Sequence, residues 1–208
     1  MRLHLILPRT SRTNETQSSW PQPSFYMNPA SFLILFNIAK EMNIGHLIRT
    51  ANVFGARVVV VGKRHFSRGG ATGRSQSTSI SRFYELGEAV EYVRQQGCEL
   101  VGVEINPDAE TIVDAKFDRP AAFMVGNEGE GLTQRQIDMC DRLVYIPQFG
   151  TAVSLNVNVA AAIVLHHYAH QAGFRPCELN GHKFISNPEA FHPNVQEMIR
   201  KKQADAGE

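Results

Sequence analysis

Short apolar runs alternate with segments of helical periodicity, and this predicts an α/β fold with a mostly parallel sheet flanked by helices. The runs are Phe32–Ile38, Arg57–Gly62, Leu100–Val103, Ala121–Val125 and Leu143–Ile146. Each is apolar on nearly every residue rather than on every second one, as in a strand covered from both sides. The chain has 208 residues, 43% of them hydrophobic and 20% charged, which suits one ordinary domain and excludes collagen-like or largely disordered chains.

The elements follow in order. Residues 1–30 read as an irregular arm: Arg2, Arg9 and Arg12 precede the first acid, Glu15, and Pro21, Pro23 and Pro29 follow. Such a basic, Ser-rich opening fits either an organelle-targeting peptide or a plain flexible terminus. The ordered domain is expected over 31–173. After its first strand, Ile44, Leu47, Ile48, Ala51 and Phe54 recur at helical spacing, with Asn43 as N-cap and Gly55 as the stop. A Gly/Ser/Thr/Arg loop is expected from Lys63 to Ser81, and a helix around Glu88–Gln96 ends at Gly97. A further helix is expected over Thr133–Cys140, and a last one from near Ser154 to about Gln171. Residues 174–208 are expected to form a C-terminal extension, polar after Pro188.

No run of about 18 apolar residues exists, so no membrane-spanning helix is expected. Cys98, Cys140 and Cys177 are far apart, which argues against a disulfide framework and suits a reducing compartment, the cytoplasm. His166 and His170 lie four apart without the glutamate of an H-E-x-x-H arrangement, so no metal is expected. Charge is unevenly spread. From Met42 to Tyr84 there is no Asp or Glu, yet the stretch carries Arg49, Arg57, Lys63, Arg64, Arg68, Arg74 and Arg82. A one-sign segment of that length suits a polyanion partner; the blander reading is a solvated loop balanced by acids brought alongside on folding.

In parallel α/β sheets, ligands sit in the turns at the carboxyl ends of strands. Three such turns are unusually furnished. In Asn43-Ile44-Gly45-His46-Leu47-Ile48-Arg49, Gly45 and Arg49 share the helix face opposite the apolar stripe, leaving room for a phosphate beside the guanidinium. A capped helix with a surface arginine is the plainer reading. Gly126-Asn127-Glu128-Gly129-Glu130-Gly131 would let a backbone approach a ligand closely, or is a loose Gly-rich hairpin. It is neither a P-loop nor G-x-G-x-x-G. The third turn, Ile146 to Asn156, ends at a helix N-terminus that Ser154 or Asn156 could simply cap. The second strand ends in Gly62-Lys63-Arg64, without the acid a Rossmann site uses for ribose hydroxyls, so a dinucleotide site is disfavoured.

In register, the three turns resemble the motifs of the SpoU (TrmH) family of SPOUT RNA 2'-O-ribose methyltransferases. N-x-G-x-x-x-R is met by Asn43, Gly45 and Arg49, and G-[NS]-E-x-x-G by Gly126, Asn127, Glu128 and Gly131. The I-P…S-L-N-[VA]-[SA]-x-A segment is met by Ile146, Pro147, Ser154, Leu155, Asn156, Val157 and Ala160. The resemblance covers about Phe32 to Gly173. It departs at Asn158, where Ser or Ala is more usual, and at Gln148-Phe149, which replaces a Met-containing pair.

The resemblance implies a SPOUT-type sheet whose C-terminal segment threads into a trefoil knot, a topology that connection rules alone would reject. It implies S-adenosylmethionine as methyl donor, held by Val103, Gly126, Asn127, Ile146 and Leu155, and a homodimer through the last helix. It implies catalysis by Arg49, Glu128, Ser154 and Asn156 on a ribose 2'-hydroxyl of tRNA or rRNA, with tRNA favoured. Asn43, Lys63, Arg64, Arg68 and Arg74 would contact the RNA. Because a guanidinium stays protonated, Arg49 is expected to clamp the target phosphate and developing oxyanion rather than act as a base. Glu128 would orient Arg49 or the acceptor ribose. The alternative is a non-catalytic RNA-binding protein on the same fold, which would not need the set Arg49, Glu128, Ser154 and Asn156.

Overall fold

The structure, a computed structural model, describes residues 30–62 and 80–177, together with the backbone of 179–180 and 183–184. The expected arm as far as residue 29, the RNA-contact residues Lys63, Arg64, Arg68 and Arg74, and the extension beyond residue 184 lie outside the described residues.

Seven strands form one sheet, β1 (Ser31–Phe36), β2 (Arg57–Val61), β3 (Ile80–Phe83), β4 (Glu99–Val103), β5 (Glu110–Thr111), β6 (Ala121–Val125) and β7 (Arg142–Tyr145). Their spatial order is β3-β2-β1-β6-β4-β7-β5, and every pairing is parallel. Four helices accompany it: α1 (Glu41–Val53), α2 (Leu86–Gln95), α3 (Gln134–Ile137) and α4 (Val157–Gln171). A two-stranded antiparallel pair, β8 (Leu179–Asn180) and β9 (Lys183–Phe184), follows.

Alternate side chains of each central strand face opposite layers. On one face Leu33, Leu35, Val58, Val60, Phe123 and Val125 pack with α1 and α4 through Leu47, Ala51, Val164 and Tyr168. On the other, Phe32, Ile34, Val59, Val61 and Met124 meet Ala89, Val90 and Val93 of α2. Leu47 is wholly buried between sheet and helix, so Leu47→Ala would cost about 2–5 kcal/mol.

Several boundaries differ from expectation. Helix α1 begins at Glu41 with Lys40 as N-cap, so Asn43 lies inside it and is no cap. Helix α2 starts two residues early because Glu85 and Glu88 form a capping box. Helix α3 is one turn, since Met139 and Cys140 bond three residues back and tighten the chain. Helix α4 starts at Val157, with Asn156 rather than Ser154 as the cap, its side chain accepting from the Asn158 amide. Strand β3 begins inside the segment expected to be loop, and β5 was not anticipated.

Candidate active site

Strand order decides where the site lies. Strands β1, β4, β6 and β7 stand together, so the turns after their carboxyl ends converge. They enclose a cavity of about 290 Å³, lined by the strand ends at Val103, Val125 and Tyr145 and by the two furnished turns after β6 and β7. That is close to the lower bound, roughly 300 Å³, of small-ligand pockets. All five residues expected at the donor, Val103, Gly126, Asn127, Ile146 and Leu155, line this one cavity. Glu128 and Ser154 line it too.

The turn after β6 is a rigid hairpin, not a loose loop. Asn127 and Gly131 exchange backbone hydrogen bonds of 3.1 and 3.2 Å, and the Asn127 side chain accepts from Gly129 N and Glu130 N, both at 2.8 Å. Gly126 packs so closely beneath the hairpin that a Cβ there would run into the Gly131 backbone and stand 2.6 Å from Leu132 N.

Glu128 leaves this hairpin toward α1. Its carboxylate accepts from Ala39 N at 2.9 Å, Lys40 N at 3.1 Å and Asn43 Nδ2 at 2.7 Å. Partial burial alone would raise its pKa. The bonds from Asn43, from the Ala39 amide, from its own backbone and from Lys40 outweigh burial and hold the carboxyl below its ordinary value. Asn43 is buried at 6% exposure, and its Oδ1 accepts from Asn156 Nδ2 at 3.4 Å. One amide thus joins all three turns. Both ends of its side chain are thus engaged within the protein. Just before α1, Asn37 adopts φ +55°, a left-handed conformation uncommon for a residue with a Cβ.

Arg49 lies elsewhere on α1, exposed and outside the cavity lining, and forms no ion pair among the described residues. The expected orientation of Arg49 by Glu128 is therefore absent here: the carboxylate is engaged by the start of α1. Asn43 and Arg49 are separated by more than one and a half turns of helix. Next to Arg49, Thr50 Oγ1 donates to Asn158 Oδ1 at 2.8 Å. The unusual Asn158 thus fastens the first turn of α4 to α1.

One cavity residue escaped the sequence reading. Glu104 directly follows β4, and its side chain reaches across to the hairpin after β6. The signal was an acid at a strand's carboxyl end, sought after β2 but not after β4.

An all-parallel sheet with a cavity at the carboxyl ends of its middle strands is the α/β arrangement in which ligands sit outside the strand ends. The chain belongs to the SpoU rRNA methylase family, whose model matches residues 30–166. The 23S rRNA (guanosine-2'-O-)-methyltransferase RlmB of Coxiella burnetii is 33% identical over 150 residues, covering 69% of this chain and 59% of the relative. The tRNA (guanosine(18)-2'-O)-methyltransferase of Escherichia coli K12 is 28% identical over 138 residues, covering 64% and 60%. The chain thus spans about three-fifths of the length of these two curated relatives. The crystal structure of the SpoU methyltransferase AviRb from Streptomyces viridochromogenes in complex with AdoMet superposes with a TM-score of 0.59 at 30% identity, covering 69% of this chain and 58% of that one. Among the described residues, no helix is long and apolar enough to cross a membrane, and no cluster of side chains could hold a metal. All three cysteines are free.

Proposed function

We propose that this protein transfers a methyl group from S-adenosylmethionine to a ribose 2'-hydroxyl of RNA. The observation that carries the reading is the convergence, in one cavity, of Val103, Gly126, Asn127, Ile146 and Leu155 with Glu128 and Ser154. The chemistry of the lining fits the donor, combining apolar strand ends with the exposed peptide edges of a tight hairpin. The sulfonium supplies a methyl group already activated for displacement. The protein's task is to position the acceptor and manage its proton. Glu128 and Asn43 hold the start of α1 against the cavity. Arg49, projecting free from the same helix, clamps the target phosphate and the oxyanion that develops on the ribose. Ser154 and Asn156 shape the acceptor side.

Transfer RNA and ribosomal RNA both remain within this proposal, since the two named relatives act one on each. Lys63, Arg64, Arg68 and Arg74 are proposed to grip the RNA backbone. A homodimer through α4 and a trefoil knot in the segment after β7 belong to the same reading. The support for the dimer is the first part of α4, apolar from Val157 to Leu165 except at Asn158, on which Val159 and Ile163 stay exposed. The free cysteines suit a reducing compartment such as the cytoplasm.

Two measurements test the proposal. Calorimetry should show S-adenosylmethionine binding that NAD does not compete with. Mapping of 2'-O-methyl groups on total RNA should show one or more sites that depend on the protein. Binding of RNA with no methyl transfer would favour the non-catalytic alternative.

A further inference from the structure

Three carboxylates line the cavity, and they are in different states. Glu128 is engaged by three donors from the start of α1. Glu130 sits on the exposed hairpin tip. Glu104 is held by the backbone on both sides: Oε1 accepts from Ile105 N at 2.9 Å and Oε2 from Leu132 N at 2.6 Å. Its own amide donates to Val144 O at 3.0 Å, which fixes the main chain to β7. Gly131 packs directly over the carboxylate, where any Cβ would collide with it. Each carboxylate oxygen has about two acceptor positions. One position on each oxygen of Glu104 is filled by a backbone amide, so each retains one.

We propose that Glu104 is a donor-binding residue: its two pre-oriented oxygens accept hydrogen bonds from the vicinal hydroxyls of the donor's nucleoside ribose. This rests on the reading of the cavity as the S-adenosylmethionine site. A fixed carboxylate facing a cavity accepts and does not donate, so it selects a group with hydrogens to give. A diol offers two O–H donors and no charge. The donor's amino-acid end would bring its own carboxylate against Glu104 along with its ammonium. Position agrees, since an acid at a strand's carboxyl end is a usual solution for ribose in parallel sheets. After β2 the chain carries Lys63 and Arg64 instead of an acid. In this sheet β4, not β2, borders the cavity, and Glu104 stands at its end.

The test is calorimetry with S-adenosylhomocysteine and its 2'-deoxy and 3'-deoxy analogues, on the full chain and on Glu104→Gln and Glu104→Ala. Wild type should bind the parent ligand about tenfold or more tightly than at least one deoxy analogue, the usual scale for a hydrogen bond to a charged group. Glu104→Ala should lose that discrimination, binding parent and deoxy ligands alike. Glu104→Gln, which keeps one acceptor oxygen, should fall between. Equal weakening of every ligand in the variants would give Glu104 only a role in holding the hairpin and overturn the ribose contact. So would variants that keep wild-type discrimination. Should a variant unfold, wild-type discrimination between parent and deoxy ligands still decides: none overturns the proposal. If wild type bound none of the ligands, the donor site itself would be misassigned, a different failure.

Discussion

Asn43 Nδ2 donates a 2.7 Å hydrogen bond to Glu128 Oε1 across 85 residues of sequence, tying the first helix to the hairpin after β6. Neither residue is a surface decoration, for Asn43 is buried and Glu128 half-buried. Asn43→Ala leaves part of the carboxylate without its donor, and Glu128→Gln turns an amide toward the donors it should accept. Each change should destabilise the fold by about 1–3 kcal/mol. The double variant should lose less than the sum, with a coupling of about 0.5–3 kcal/mol in urea unfolding. Strict additivity would mean the pair contributes no mutual stability.

The same carboxylate makes the site sensitive to acid. Glu128 titrates below its ordinary value of 4.5 in the folded chain, so the unfolded chain binds more protons between the two values. Its stabilisation is therefore fully present above about pH 4.5 and is lost as pH falls through the folded value. Unfolding midpoints of wild type and Glu128→Gln should be well separated at pH 7 and converge below pH 4.5. A separation independent of pH would show that charge on Glu128 plays no part.

Gly126 and Gly129 offer a paired comparison. A methyl group at Gly126 would press into the Gly131 backbone, whereas at Gly129 its nearest neighbour is Asn127 Oδ1 at 3.6 Å. Gly126→Ala should displace the hairpin and weaken S-adenosylmethionine binding at least tenfold in calorimetry, while Gly129→Ala should bind within about twofold of wild type. Equal effects would detach the hairpin's shape from donor binding.

Arg49 separates chemistry from folding. It is exposed and opposite the buried stripe of Ile44, Leu47 and Ile48, so Arg49→Ala should leave the unfolding midpoint and donor affinity nearly unchanged. Single-turnover methyl transfer should drop about a hundredfold or more. Arg49→Lys keeps the charge without the planar fork and should recover part of the rate. Full activity in Arg49→Ala would remove this side chain from the mechanism.

The exposed apolar side chains of α4 predict association. Val159 is 44% and Ile163 37% exposed on a helix whose other face is core. Sedimentation at micromolar concentration should give a dimer, and Ile163→Glu should shift it toward monomer. A monomeric wild type would refute the interface.

The central strands were legible because they are buried on both faces, so every position of Val58–Val61 or Ala121–Val125 is apolar. Edge strands were not. In β3, Ser81 and Arg82 interrupt the apolar pattern, and β5 is only Glu110 and Thr111. The order of strands, which puts β6 between β1 and β4, is written in no local pattern. The cavity residues were legible through the spacing of the turns, but their partners were not. Asn43 was mistaken for a cap because an asparagine at a helix start looks the same whether it caps or is buried. Glu104 carries no local sign of its role, since only its contact with Leu132 N, 28 residues away, sets it apart.

The placement of β1 governs the order of assembly during synthesis. Ser31 pairs with Ala121 and Leu35 with Val125, while β2 adds to the other edge of β1. A chain emerging N-terminus first can join β1, β2 and β3 early, yet the far side of β1 stays an unpaired edge until some 90 further residues have appeared. Asn156, the last member of the Glu128–Asn43–Asn156 relay, arrives later still. An incomplete chain therefore exposes a sticky strand, and the proposed reaction centre closes only once translation has passed Asn156.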